Sequence, residues 1–351
     1  MEKANEREVF NLYNKWLRPR IKNKSAKINF ERQISEGINL AVTYINDPYH
    51  RINRYHIFKI YEPKERLIMS LNIPEKICNH YFTRNVLMPK LEKYLDPRNC
   101  ATRKGMGTEY AISLVKKYVN KLKSDKFYVL KIDISKYFYN IDHKVLKDML
   151  KDILTKDEYI RLCNLLDSTN RSYINKNIIN IGVNLPTYKY DKGLPIGNLS
   201  SQTLSVFYLY KLDHYIVHNL HLKYYVRYMD DFLIFSKDKD YLKKCLDTIT
   251  KKLEEYYKLD ISPKKTFIID GDSFNFLGYH FYVNRKKNNK LIVSLRRETR
   301  DKIRKNMKRI RYEYRNNIIS FEKAYESVSN YLYSYGYSYD KTRNYFDKYF
   351  C

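Results

Sequence analysis

Apolar positions recur at two spacings along the chain and divide it into segments. Val9, Phe10, Leu12, Tyr13, Trp16 and Leu17 fall near helical spacing until Pro19 ends the pattern, so residues 1–56 are expected to form a helical, basic N-terminal extension. Residues 57–61 and 67–69 read as two strands joined by the turn Glu62-Pro63-Lys64-Glu65-Arg66. Residues 71–97 read as helical, with Pro74 near the start, and Thr108 is a candidate N-cap for a helix over 109–123. The run 127–134 is almost continuously apolar, as in a strand covered on both faces, and leads to a helix near 142–152. Residues 157–190 read as a helix followed by an Asn-rich connection, and 192–202 as a Gly-Pro-Gly loop feeding a helix to about 219. Aromatic and β-branched residues flank a short polar break in 224–235, the signature of a hairpin. An amphipathic helix over 240–258, a strand at 267–269, a β segment at 274–283 and a basic helical stretch from Leu295 complete an α+β pattern without internal repeats.

Candidate chemistry sits at the ends of these strands. Asp230 and Asp231 stand together at the hairpin tip, and Asp133 leaves the apolar strand. Adjacent carboxylates repel each other unless a cation neutralises them, and oxygen-only ligands suit Mg²⁺. A solvated Asp-Asp turn and a helix N-cap at Asp133 are the structural alternatives. One strand–helix unit and one hairpin can bring the three acids to a single sheet, where they would hold two Mg²⁺ ions for in-line displacement at phosphorus. Lys64 and Arg66 form a cationic hairpin tip able to reach a triphosphate. Arg103, Lys104 and Gly105, with Gly107, combine cations with glycines that allow close approach to a phosphate.

Charge narrows the partner class. The chain has 67 Lys and Arg against 39 Asp and Glu, a net charge of +28, and 37 Tyr. Such an excess favours a polyanion, because each neutralised phosphate releases counterions, and aromatic faces stack on bases. The basic run Arg296, Arg297, Arg300 and onward is expected to follow a nucleic-acid backbone. Five scattered cysteines without metal-ligand spacing point to reduced thiols in a cytoplasmic protein, and no signal peptide or membrane span is expected.

Tyr228-Met229-Asp230-Asp231 resembles the signature of reverse transcriptases, and Lys131-Ile132-Asp133-Ile134-Ser135-Lys136-Tyr137-Phe138 resembles their first palm motif. The resemblance runs over about 57–340 in the right order. It implies a right-hand polymerase with fingers (57–126 and part of 160–192), an antiparallel palm sheet with packed helices (127–285) and a helical, basic thumb (286–351). By the same resemblance Asp133, Asp230 and Asp231 ligate the metals, Lys64 and Arg66 grip the incoming dNTP, and Ile134 and Gln202 lie on the substrate side. Phe138 matches the steric gate against ribonucleotides, which disfavours an RNA polymerase, and Lys265 matches a proton donor to pyrophosphate. Tyr228, Met229 and Gly278, the last in Phe276-Leu277-Gly278-Tyr279, match positions that touch the primer. The loop Pro195-Ile196-Gly197 followed by Ser201-Gln202 resembles the reverse transcriptases of diversity-generating retroelements, which are bacterial or phage-encoded. That resemblance implies a template RNA, an RNA or DNA primer, cDNA with errors at adenines, and a small basic helical accessory oligomer. A retron-like or defence-associated reverse transcriptase using a structured RNA is the alternative. The three acids argue against an inactive binding module, and no maturase-type or endonuclease extension is expected after residue 351, which disfavours an intron role.

Overall fold

The computed structural model describes residues 3–333 apart from 22, 62–64 and 183–185, together with 344, 347 and 348. The chain divides into two compact units, 1–270 and 271–351. In the first, α1 (Glu6–Leu12), α2 (Lys24–Arg32) and α3 (Ile34–Asn46) precede the antiparallel pair β1 (His56–Tyr61) and β2 (Glu65–Ser70). Then come α4 (Ile73–Phe82), α5 (Met88–Glu92) and α6 (Thr108–Leu122). Next are β3 (Tyr128–Asp133), α7 (Tyr137–Asn140), α8 (His143–Leu150), α9 (Lys156–Asp167) and α10 (Ser172–Asn180). After these, α11 (Leu199–Tyr208) and α12 (Tyr210–His214) lead to the hairpin of β4 (Tyr225–Tyr228) and β5 (Asp231–Ser236). Finally α13 (Lys239–Tyr257) returns the chain to β6 (Phe267–Asp270). The central sheet runs β4-β5-β3-β6, all neighbours antiparallel.

Local chemistry sets these boundaries. Asn72, Asp142 and Asp238 accept N-terminal amides of α4, α8 and α13, and Thr155 with Glu158 forms a capping box on α9. In α13 the buried Leu242, Cys245, Ile249, Leu253 and Tyr257 recur every three or four residues, giving one apolar stripe that joins the core around Leu130, Ile132, Phe232 and Ile234. The N-terminal helices bury Val9, Leu12, Ile38, Ala41 and Ile45 against Ile73, Ile77 and Tyr81 of α4. The second unit has a three-stranded sheet, β7 (Ser273–Phe276), β8 (Tyr279–Asn284) and β9 (Lys290–Leu295), followed by α14 (Arg297–Arg315) and α15 (Phe321–Tyr333). Ile303, Met307 and Ile310 of α14 pack on Ala324, Val328 and Leu332 of α15.

Several expectations shift. The division falls at 270/271 rather than 285/286, because β8 pairs with both β7 and β9 and ties the segment 273–295 into one sheet. The Asn-rich connection contains α10, whose Ile174 and Ile178 are buried, an apolar pair too sparse to read as a helix. The stretch 199–219 is broken at Leu209, and Thr108 begins α6 without capping it, since Gly107 occupies that place. No helix among the described residues is long and apolar enough to cross a membrane.

One buried cation joins the N-terminal helices to the rest of the first unit. Arg161 of α9 donates to the carbonyls of Tyr44, Ile45 and Asp47 at 2.6–3.0 Å, satisfying the C-terminal end of α3. Arg161→Ala leaves those carbonyls without donors, and we expect it to lower stability by about 3 kcal/mol in urea unfolding followed by circular dichroism.

Candidate active site

Antiparallel register places the acids. Asp133, the last residue of β3, lies directly opposite Asp231, the first of β5, so both side chains leave the same face. Tyr228 pairs with Asp231 across the β4–β5 hairpin, which leaves Met229 and Asp230 as its turn. Met229 adopts φ +58°, the left-handed conformation a two-residue turn needs. Lys131 stands two residues before Asp133 and diagonally opposite Asp231, with its Nζ 3.3 Å from Asp231 Oδ1. Just before β6, Lys265 reaches Asp133, with its Nζ 2.8 and 3.0 Å from the two carboxylate oxygens.

The turn is held from beneath. Arg227, buried completely in β4, donates from Nη1 to the Met229 carbonyl at 2.9 Å and from Nη2 to the Val206 carbonyl at 2.9 Å. Its guanidinium also grips Asp213 of α12 through two bonds, at 2.7 and 2.5 Å. Asp213 is equally buried and accepts from Tyr225 Oη at 2.6 Å. Burial opposes the charge on Arg227, but Asp213 outweighs it and holds the proton more firmly than water would. The backbone of Arg227 bonds the Arg98 carbonyl and the Cys100 amide, which covers the edge of β4. Neither Arg227 nor Asp213 is identified by the sequence patterns. The available signal was an arginine inside an apolar strand, which has to be paired somewhere.

Asp230 and Asp231 are electrostatically strained. Burial, with Asp133 nearby, raises the pKa of Asp230, while Lys265 and Arg66 oppose the shift. Asp231 is pushed up to about 6, chiefly by burial, despite Lys131. Asp231 Oδ1 is buried and makes no hydrogen bond among the described residues, the Lys131 ammonium at 3.3 Å bonding Oδ2 instead. Oxygen-only donors, mutual repulsion and a buried oxygen without a hydrogen bond fit a divalent cation. Lysine ammonium groups stand where part of that positive charge is needed.

The remaining expected residues are dispersed. Arg66 is exposed on β2, and its electrostatic effect reaches Asp230; Lys64 lies outside the described residues. Phe138 of α7 is half-buried, and its carbonyl accepts from the Leu194 amide at 2.7 Å. Ile196 is half-buried, and its carbonyl accepts from Met69 of β2 at 2.8 Å. Gly197 follows at φ +121°, where a Cβ would stand 3.1 Å from both Ile68 Cγ2 and the Met69 carbonyl oxygen. Gln202 is exposed on α11, whereas Ile134 is 1% exposed, so its side chain belongs to the core rather than the substrate side. Arg103 also departs from expectation. Its guanidinium is committed to Glu92 and to the carbonyls of Asp96 and Asn99, so it shapes its own loop, while Lys104 and Gly105 are exposed. Tyr228 and Met229 are half-buried beside the acids. In the second unit, Gly278 turns from β7 to β8, Arg296 pairs with Glu298, and Arg297 is exposed on the first turn of α14.

The folded pKa of Asp231 exceeds its unfolded value, so folding favours the proton. In metal-free protein this group's contribution to stability therefore falls as pH rises from about 4 to about 6. We expect Asp231→Asn to stabilise the metal-free chain at pH 7 by up to about 3 kcal/mol and by much less at pH 4, in urea unfolding with a chelator present.

A family profile described as reverse transcriptase (RNA-dependent DNA polymerase) matches residues 62–281, well over half the chain and including all three acids. A comparison with curated proteins found no match. Similar solved structures include apo telomerase from Candida tropicalis truncated from its C-terminal domain, at 17% identity and TM-score 0.50, over 70% of this chain and 55% of that one. Apo telomerase from the same organism aligns at 16% identity and TM-score 0.49, over 70% and 49%. The chain thus spans about half the length of these telomerase chains, and the first likeness speaks to the fold alone, that of a right-hand polymerase. With the acids at adjoining strand ends and the profile spanning them, the chain belongs to the reverse transcriptase family and carries its RNA-directed DNA polymerase domain.

Proposed function

We propose that the chain copies a template RNA into cDNA with Mg²⁺ at Asp133, Asp230 and Asp231, and that it copies adenines with frequent errors, in the manner of diversity-generating retroelements. The observation that carries the chemistry is the register of Asp133 on Asp231 beside the Asp230 turn. Two Mg²⁺ ions there would stabilise the attacking and leaving oxygens as a primer 3′-hydroxyl displaces pyrophosphate from a dNTP. Arg66, with Lys64, grips the triphosphate, and Phe138 excludes a 2′-hydroxyl. Lys265, exposed enough to leave Asp133, protonates the pyrophosphate. Template and primer engage Lys104, Gly105, Tyr228, Met229, Gly278, Arg296 and Arg297. A small basic accessory oligomer joins the complex through shared RNA, since two cationic proteins otherwise repel.

The error-prone reading rests on Ile196. Its backbone is fastened to β2, and the following glycine lies against that strand too closely for a Cβ to fit without displacement. A side chain at 196 is thereby fixed at the loop between Phe138 and the fingers strands. Glutamine there could hydrogen-bond the nascent pair, whereas isoleucine cannot. The missing bond lowers discrimination by about 1–3 kcal/mol.

Primer extension on an RNA template with dNTPs and Mg²⁺ tests both parts. Asp230→Ala is expected to abolish extension. Ile196→Gln is expected to keep extension and reduce misincorporation opposite adenine by roughly tenfold, read by sequencing the cDNA. An unchanged adenine error rate would overturn the error-prone reading. Errors spread evenly over the four template bases in the native enzyme would favour a retron-like or defence-associated polymerase.

A further inference from the structure

A second group of ligating side chains lies where the chain enters the 193–197 loop. His143, the first residue of α8, is 1% exposed. Its Nε2 lies 2.7 Å from the Gly193 carbonyl oxygen. A carbonyl only accepts, so Nε2 carries the proton and Nδ1 the lone pair. Nδ1 is buried and has no hydrogen-bond partner among the described residues. Asp167, at the end of α9, and Asp191 are both exposed. One ligating atom from each of the three lies within 4.8 Å of the other two.

The surrounding bonds fix these groups without saturating them. Asp191 sits at φ +53° and is clasped by Asn170, which donates to its Oδ1 at 2.7 Å and accepts from its amide at 2.8 Å. The Asp191 carbonyl accepts from the His143 amide at 3.0 Å. Asp167 Oδ1 accepts from Lys147 at 2.8 Å. A buried nitrogen with a lone pair and no donor is costly, and nothing in the polymerase chemistry uses it. A ring fixed through its far N–H to a backbone carbonyl is the usual support of a metal-binding imidazole. One neutral imidazole and two carboxylates neutralise a divalent ion and suit first-row metals with mixed nitrogen and oxygen ligands.

We propose that His143, Asp167 and Asp191 bind one first-row divalent transition cation, of the Zn²⁺ or Mn²⁺ class, apart from the catalytic acids. The ion fastens the segment before the loop to α8 and α9. Two bonds already seat the loop's first residues on the chain around α7, Gly193 amide to Ile141 carbonyl and Leu194 amide to Phe138 carbonyl. The ion completes that attachment from the other side of Gly193.

The full chain, stripped of metal and carrying Asp230→Asn to weaken the catalytic centre, is titrated with Zn²⁺ by calorimetry and in parallel by thermal melting. We expect one bound ion and a rise in Tm with Zn²⁺, because an ion that binds the folded state stabilises it. His143→Gln, Asp167→Asn and Asp191→Asn are each expected to weaken that site by about tenfold or more. The two carboxylate variants keep the test valid if the buried histidine variant fails to fold. Zn²⁺ binding of unchanged affinity and number in both carboxylate variants would overturn the proposal, as would absence of binding in the parent chain. Thiol-bound Zn²⁺ would reveal itself by surviving the carboxylate variants, and that too counts against the site.

Discussion

Arg227 is a fully buried cation in β4, the strand that leads into the turn holding Asp230, and its charge persists there because Asp213 is buried with it. Removing either partner alone would strand a charge in the core, which typically costs about 3–5 kcal/mol. The pair also has a geometric consequence. The same guanidinium that grips Asp213 donates to the carbonyl of Met229, the residue at positive φ that turns the hairpin. Asp213 belongs to α12, so the helices following the 193–197 loop and the turn holding Asp230 are locked into one arrangement. A hairpin tip in water fluctuates among turn types, whereas this one is bound to the core by a charged fork.

That rigidity permits the opposite condition above the sheet. Burial and the neighbouring carboxylates disfavour ionisation of Asp230 and Asp231, and Asp231 Oδ1 is buried without a hydrogen bond among the described residues. Lys131 and Lys265 supply partial compensation, from positions that register and strand order dictate. The site thus stores a demand for positive charge that a divalent ion satisfies more completely than two flexible ammonium groups. A domain that opposes such repulsion needs its supporting shell fixed, and the buried ion pair supplies that.

Much of this is legible in the sequence. The apolar run 127–134 and the aromatic hairpin 224–235 are strands because their residues suit a sheet buried on both faces, and the three acids stand out against them. Arg103 was misread because a cation beside glycines resembles a phosphate grip, while Glu92 and two carbonyls that absorb it lie up to eleven residues earlier. Ile134 was misjudged for the converse reason: adjacency to Asp133 in sequence sends its side chain to the other face of the strand, into the core. β9 lies beyond the expected 285/286 boundary and pairs back onto β8, a pairing that residue type alone does not reveal.

By itself the sequence determined the local elements, the strongly cationic character and the acids that stand at strand ends, since these follow from side-chain type and period. Only the tertiary structure decided which charges meet. Asp133 faces Asp231 through strand register; Arg227 finds Asp213 on a helix fourteen residues away; His143 meets Asp167 and Asp191 across separate elements. Charge pairing acts through distances of a few ångströms, and such distances between residues far apart in the chain are set by packing rather than by spacing.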